Sequence, residues 1–231
     1  DNALSSVDVR ATVIDQDAFL CRADIECEPA GDMNFDVNTM VSTPAGDVVI
    51  ERGWVAARAW VKGREFQLFN THLEVNSNPV LSTVQYVQSL ELVGFLNSRK
   101  TNGSPQIVLG DFNSDETTGF PECAELDFCQ SSYQVMRNAG FIDTWTLRGG
   151  KPVPGDTCCQ DADLRNTESS LYERIDQVWV RAAPGRRGSV VLRGVQARVV
   201  GDQAADLSVP DGLWPSDHAG VTTRMWISRA K

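Results

Sequence analysis

Histidine is the scarcest of the chemically versatile residues in this chain, with two among 231 positions. So few imidazoles exclude a histidine-rich metal centre, and any imidazole chemistry must pass through His72 or His218. Positive charge is also in deficit: 21 basic residues stand against 31 acidic ones, for a formal net charge of −10. A surface of that sign repels phosphate backbones at long range, so nucleic acid is not favoured as a partner without a basic patch or bound cations. The one basic cluster, Arg181, Arg186, Arg187 and Arg193, reads as a solvated hairpin. No apolar run approaches the ~20 residues that a membrane-crossing helix needs. Repeats, low-complexity tracts and interdomain linkers are absent as well. With 42% hydrophobic residues the chain can bury one sizeable core, and a single domain over 1–231 is the simplest expectation.

The six cysteines group as Cys21/Cys27, Cys123/Cys129 and Cys158/Cys159. No C-x2-C pair exists and no spare histidine is available, which argues against structural zinc. Two pairs at i, i+6 favour short-loop disulfides and an oxidising compartment, extracellular or periplasmic. Cys123–Cys129 is the first expected bridge and Cys21–Cys27 the second, each worth nearer ~2 than 4 kcal/mol because the loop is short. For Cys158 and Cys159 a vicinal bridge and two separate partners both stay open.

Periodicity predicts strands over Val7–Val13, Phe19–Ile25, Asp47–Ile50, Trp54–Val61 and Glu65–Thr71, with Lys62-Gly63-Arg64 as a hairpin turn. Val80–Leu96 is the clearest helix: Leu81, Val84, Val87, Leu92, Phe95 and Leu96 recur at near-helical spacing, with Gln85, Gln88 and Glu91 between them. A short helix is expected over Ser131–Ala139, with Gly140 at its C-cap. Another segment begins at Phe141, and strands follow near Ile175–Val180, Ser189–Val200 and Gly220–Ile227. Strands interleaved with a few helices give an α/β fold class.

Among the motifs, Gln106-Ile107-Val108-Leu109-Gly110-Asp111-Phe112-Asn113 is the most informative. An apolar strand ends at a glycine, and an aspartate and an asparagine follow two positions apart, so that in an extended turn both project the same way. A carboxylate beside a carboxamide can orient a water with one group and hold a phosphoryl oxygen or a metal-bound water with the other. An ordinary polar turn facing solvent would read the same in isolation. Two further segments shift the balance. Phe66–Glu74 is a strand that closes on Asn70-Thr71-His72, and Ser216-Asp217-His218 precedes the last strand-like run. Both histidines therefore stand at strand margins among polar turn residues.

Asn70-Thr71-His72-Leu73, Gly110-Asp111-Phe112-Asn113, Arg174-Ile175-Asp176 and Ser216-Asp217-His218 occur in that order. Together they resemble the last four signature blocks of the endonuclease/exonuclease/phosphatase superfamily, whose members include pancreatic deoxyribonuclease, neutral sphingomyelinases and inositol polyphosphate phosphatases. Thr157-Cys158-Cys159-Gln160 followed by Glu173–Asp176 is further similar to a group of secreted bacterial members. The resemblance implies a four-layer α/β sandwich and a phosphoester substrate, with Mg2+ (or Mn2+) as cofactor. It implies that Asp111 orients or deprotonates the attacking water and that Asn113 holds that water or a phosphoryl oxygen. His218 would contact the scissile phosphate, with Asp176 accepting from its other ring nitrogen. His72 would act from the opposite side, as a donor to an oxygen or an acid to the leaving group. Asp217, with Asp111, would lie at the metal. Asn76 and Asn78 are candidates for the substrate groove and Trp145 and Trp214 for its flanks, while Arg52 is a phosphate ligand or a structural partner.

Two blocks of the pattern are not found: an Asn on a first strand, and a Gln-Glu strand end whose Glu binds the metal. Glu26, Glu28 and Glu74 are the nearest acidic residues, and none sits in that context. The resemblance thus implies a fold incomplete at its N-terminus, with a complementing N-terminal segment or chain that pairs with the Val221–Ile227 strand and supplies the carboxylate. Without it, magnesium binding and activity are expected to be weak. A metal-dependent phosphoester hydrolase is the leading expectation. The alternative is a non-catalytic scaffold or assembly protein derived from that fold.

Overall fold

The computed structural model describes residues 16–44, 46–119, 130–182, 190–207 and 211–229. Its strands are Glu26–Asn34 (β1), Thr39–Thr43 (β2), Gly46–Ile50 (β3), Gly53–Val61 (β4), Arg64–His72 (β5), Gln106–Asp111 (β6), Ile142–Asp143 (β7), Asp176–Arg181 (β8), Val190–Val200 (β9) and Gly220–Arg229 (β10). The helices are Pro79–Ser98 (α1) and Ser132–Asn138 (α2), and a 3-10 turn covers Thr144–Leu147. Six strands make one mixed sheet in the order β1-β4-β5-β6-β8-β7, while β9 with β10 and β2 with β3 form separate antiparallel pairs.

Strand alternation decides which residues meet the helices. Trp54 and Ala56 of β4, Phe69 of β5, Val108 of β6 and Trp179 of β8 face one side, where Leu92 and Leu96 of α1 and Tyr133 and Met136 of α2 complete the core. Trp179 lies edge-on to Tyr133 and Phe112, and Trp54 stacks on Phe95. On the other face, Ile107, Leu109 and Val178 look across a cleft of about 370 Å³ at Val221, Thr223 and Met225 of β10. The main sheet is therefore covered by helices on one side and by the β9–β10 pair on the other, an α/β sandwich.

Most of the expected elements are present, within a residue or two of their expected ends. Phe19–Ile25 is not a strand: residues 16–22 are irregular, and the chain enters the sheet at Glu26. β1 hid from the pattern because it is an edge strand, largely exposed, with Pro29 at a bulge against β4. The expected strand over Val7–Val13, the Cys123–Cys129 bridge, and Arg186 and Arg187 lie outside the described residues. Cys21 and Cys27 are bonded to each other, as are Cys158 and Cys159.

Gly110 shows why the sequence motif needs its glycine. Its φ is +137°, and a Cβ built there would lie 1.9 Å from the Thr71 carbonyl oxygen on β5. The close approach of β5 to β6, which sets His72 beside Asp111, tolerates no side chain at this point. Gly110→Ala is expected to destabilise the fold by about 3 kcal/mol or more, through combined backbone strain and steric overlap. Urea unfolding followed by tryptophan fluorescence would measure it.

Candidate active site

Three neighbouring strands end together. In the parallel β5–β6 ladder His72 is the partner of Asp111, and in the antiparallel β6–β8 ladder Asp111 is the partner of Asp176. His218, two residues before β10, reaches the same sheet edge because its backbone is bridged to Cys158, which is bridged in turn to Glu173 ahead of β8. Residues far apart in sequence are thus placed side by side by register rather than by loop geometry.

The hydrogen bonds fix the state of each ring. Asp176 Oδ2 lies 2.8 Å from His218 Nδ1, so that nitrogen donates, and Nε2 lies 3.9 Å from Cys159 Sγ. At His72 the situation is reversed. Arg52 Nη1 is 2.7 Å from Nδ1, and a guanidinium has no lone pair to offer, so Nδ1 accepts. The His72 proton therefore sits on Nε2, which faces Asp111 Oδ2 at 3.3 Å. Asn113 closes the group with φ +47°, a left-handed conformation that asparagine tolerates better than most residues. Its backbone N–H donates to Asp111 Oδ1 at 2.8 Å and its side-chain amide to the Leu73 carbonyl at 2.8 Å.

These contacts set the charges. Asp111 is raised from 3.8 to about 7, first by burial and then by the nearby Asp176 carboxylate, against lowering by the Asn113 N–H and the His218 and Arg52 charges. His218 is raised from 6.5 to about 9, chiefly by its hydrogen bond to Asp176, which outweighs the opposing effect of burial. Near neutral pH the cleft thus holds an imidazolium beside a carboxylate poised to take or lose a proton. Both folded-state values lie above the unfolded ones, so each group's contribution to stability is complete below its unfolded value and is lost as pH rises through its folded value. For Asp111 that window runs from 3.8 to about 7 and for His218 from 6.5 to about 9. With a chelator present, Tm should therefore fall between pH 7 and 9 in the wild type and change less in His218→Gln. Differential scanning fluorimetry across that range checks this.

Several residues that hold the site were not singled out from sequence. Gln85 of α1, fully buried, donates to both the Glu74 and the Asn113 carbonyls, at 2.8 and 2.9 Å. Gln88, one turn on, accepts from the Glu74 N–H at 2.8 Å and donates to the Val37 carbonyl at 3.0 Å. The polar residues between the apolar positions of α1 are thus the ones that tie down the loops after His72 and Asp111, while Val80 and Leu90 are exposed. Two glutamines at i, i+3 between the apolar positions of the helix are the available signal. Thr157 Oγ1 accepts from the Ile175 and Asp176 backbone N–H groups, and Thr157 O accepts from Ala219 N–H, which joins the β8 and His218 segments. A buried ion pair between Arg174 and Asp143, 2.8 Å apart, anchors the chain just before Ile175.

The remaining candidates are placed as follows. Asp217 is exposed, and its Oδ1 accepts from the Ser216 hydroxyl at 3.2 Å. Asp111, Asp176 and His218 each bring one ligand atom within 4.8 Å of the others, a set that Asp217 does not join. Asn76 is half-buried beyond β5, its carbonyl accepting from Ser82. Asn78 caps α1 through its side-chain oxygen. Trp214 is buried, donating to the Asn166 carbonyl, and Trp145 lies under Arg148. Arg181, expected in a solvated hairpin, is instead the half-buried last residue of β8, bonded to Gln106, Asn97 and the Ala139 carbonyl. Glu26 and Glu28 lie on exposed β1, and Glu74 is buried with its Oε2 lacking a hydrogen-bond partner.

Carboxylates, an amide and two imidazoles of opposite tautomeric bias at the ends of adjacent strands define a polar reaction site on an α/β sandwich. The model of the Endonuclease/Exonuclease/phosphatase family matches residues 18–218, and the chain belongs to that family. Its structure is similar to TDP2 from Caenorhabditis elegans, with TM-score 0.53 and 14% identity over 87% of this chain and 57% of that one. TDP2 from D. rerio, complexed with single strand DNA product, gives TM-score 0.54 and 17% identity over 86% of this chain and 68% of that one. A functionally unknown conserved protein from Enterococcus faecalis V583 gives 0.52 and 16% over 88% and 68%. At such identities the likeness is one of fold. The chain spans little more than half the length of the C. elegans protein. No curated protein matches it.

Proposed function

We propose that this chain is a metal-dependent hydrolase of phosphoesters. The observation that carries the reading is the convergence of Asp111, Asp176 and His218 at one sheet edge, with Asp111 raised to about 7 beside a His218 raised to about 9. Asp111 orients a water and takes its proton as the oxygen attacks phosphorus. His218, charged and oriented by Asp176, donates from Nε2 to the phosphoryl oxygen on which negative charge grows. His72 donates from Nε2 to a second oxygen; with Nδ1 held by Arg52 it is a hydrogen-bond donor rather than the acid of the leaving group. The bond to the leaving oxygen breaks, and that oxygen is protonated from solvent.

A divalent cation fits this site, because the Asp111 and Asp176 carboxylates converge there with ligand atoms within 4.8 Å of each other, and Asp111 is raised first by burial and then by the Asp176 charge. Magnesium or manganese would be held by Asp111 and the neighbouring Asp176 together with retained waters, rather than by the exposed Asp217 expected from sequence, and when bound it would neutralise charge on the phosphoryl oxygens. Asn113 and the half-buried Asn76 are the substrate-side contacts of this reading. The net charge of −10 favours small or neutral-headed phosphoesters over long polyanions. Bonded Cys21–Cys27 and Cys158–Cys159 support an extracellular or periplasmic setting.

The test is hydrolysis of bis-p-nitrophenyl phosphate and of p-nitrophenyl phosphate by the protein expressed from its complete reading frame, with magnesium, manganese or EDTA. Turnover that EDTA abolishes and magnesium restores is expected; metal-independent turnover would overturn the reading. Arg52 enters as a positioning residue. Arg52→Gln should lower kcat about 10-fold with a smaller change in KM, since the His72 ring loses its fixed tautomer while the phosphate contacts remain. Steady-state kinetics separate the two constants.

A further inference from the structure

The adjacent cysteines lie beside the proposed catalytic histidine. Cys158 is buried and Cys159 half-buried, and the two are bonded. Cys159 Sγ is 3.9 Å from His218 Nε2, the nitrogen not bonded to Asp176. Both sulfurs and a nitrogen of His218 lie within 4.8 Å of one another. The backbone holds them there. Cys158 donates to the Glu173 carbonyl and accepts from the Tyr172 and Glu173 N–H groups, while Gln160 N–H donates to the Asp217 carbonyl.

We propose that the Cys158–Cys159 pair, once reduced, forms with His218 a three-ligand site for a soft divalent cation such as zinc, and that filling this site withdraws His218 from phosphoester hydrolysis. The second half rests on the functional reading above; the first does not.

The chemistry of the donors favours it. Two thiolates and an imidazole make a set suited to zinc and unsuited to magnesium, which prefers hard oxygens. A tetrahedral zinc spans its sulfur and nitrogen ligands by about 3.6 Å, close to the separation already present. His218 is also oriented as a zinc ligand needs to be: Nδ1 is hydrogen-bonded to Asp176 at 2.8 Å, which fixes the tautomer and leaves Nε2 to bind. Three protein ligands leave a fourth position for water.

Opening the site requires a dithiol reductant. Its thiolate attacks Cys159 Sγ, the more exposed sulfur, and Cys158 Sγ leaves and takes a proton. The reductant's second thiol then resolves the mixed disulfide. Two electrons pass to the protein, and the reductant leaves as its own disulfide. Zinc then binds with loss of the two thiol protons and the His218 Nε2 proton to solvent. The bonded form has no thiolate to offer, so the site exists in one redox state alone.

The test uses the protein expressed from its complete reading frame, either as isolated or treated with dithiothreitol and desalted anaerobically, with Co2+ and Zn2+ as probes. Reduced wild type should bind one equivalent of Co2+ with a thiolate-to-cobalt charge-transfer band that Zn2+ displaces. The untreated protein and the reduced Cys158→Ala/Cys159→Ala variant should lack the band, and His218→Ala should bind at least about tenfold more weakly. One equivalent of Zn2+ should lower magnesium-supported turnover at least about tenfold in reduced wild type, but not in untreated wild type or the double-alanine variant. Should that variant fail to fold, reduced wild type capped with iodoacetamide takes its place. A band of equal strength in the untreated protein, in the capped protein, or undiminished in His218→Ala overturns the site. Binding as expected without any effect on turnover overturns the regulation. Untreated protein inactive on every phosphoester sinks the functional reading and leaves the metal site standing.

Discussion

His218→Ala is expected to lower kcat for phosphodiester hydrolysis by about 10³-fold near neutral pH, with KM moving far less. The side chain is an imidazolium there, because its hydrogen bond to Asp176 raises it to about 9. Its charge is aimed at the place where negative charge grows in the transition state, so its removal costs the rate more than the binding; single donors of this kind contribute about 10²–10³ and acid–base groups up to about 10⁴. The fold should survive. His218 is partly exposed, and the Asp176 backbone stays tied to Thr157 without it. Steady-state kinetics with magnesium, alongside a melting curve for the variant, checks both halves.

Asp111→Asn should lower the rate by a similar or larger factor, about 10³–10⁴, while making the protein more stable above pH 7. The two effects have one cause. Asp111 is raised to about 7 by burial and by the Asp176 charge, so ionising it costs the folded state free energy that asparagine does not spend. The substitution keeps the side chain's shape, and its carbonyl oxygen can still accept the Asn113 N–H that now reaches Asp111 Oδ1. What is lost is the proton acceptor. A variant that is slower and yet melts higher would mark a site where function opposes stability; a variant that is slower and melts lower would assign Asp111 a structural role instead.

Much of this site was legible because strand ends carry local signals. Gly110 before Asp111, and both histidines at strand margins, could be read from residue type and spacing, and β5, β6, β8 and β10 fall where alternation puts them. The residues that orient those groups left weaker traces. Arg52 precedes β4 by one position and reaches His72 only because β4 pairs with β5, a tertiary fact. Gln85 and Gln88 read as the polar side of a helix, yet they are buried, because carbonyls at the ends of β5 and β6 need donors that water does not reach. β1 escaped for the opposite reason: an edge strand paired on one side needs little apolar pattern, so its nine residues show none. The approach of Cys159 to His218 has no sequence signature, being made by backbone bridges between segments 59 positions apart.

The most direct test of the central claim is the initial rate of magnesium-supported bis-p-nitrophenyl phosphate hydrolysis in wild type, Asp111→Asn, His218→Ala and the double variant. If these side chains act as one catalytic unit, each single change removes most of the rate and the double falls little below the worse single, since groups acting together are not additive. Wild-type turnover that persists in either single variant would contradict the account.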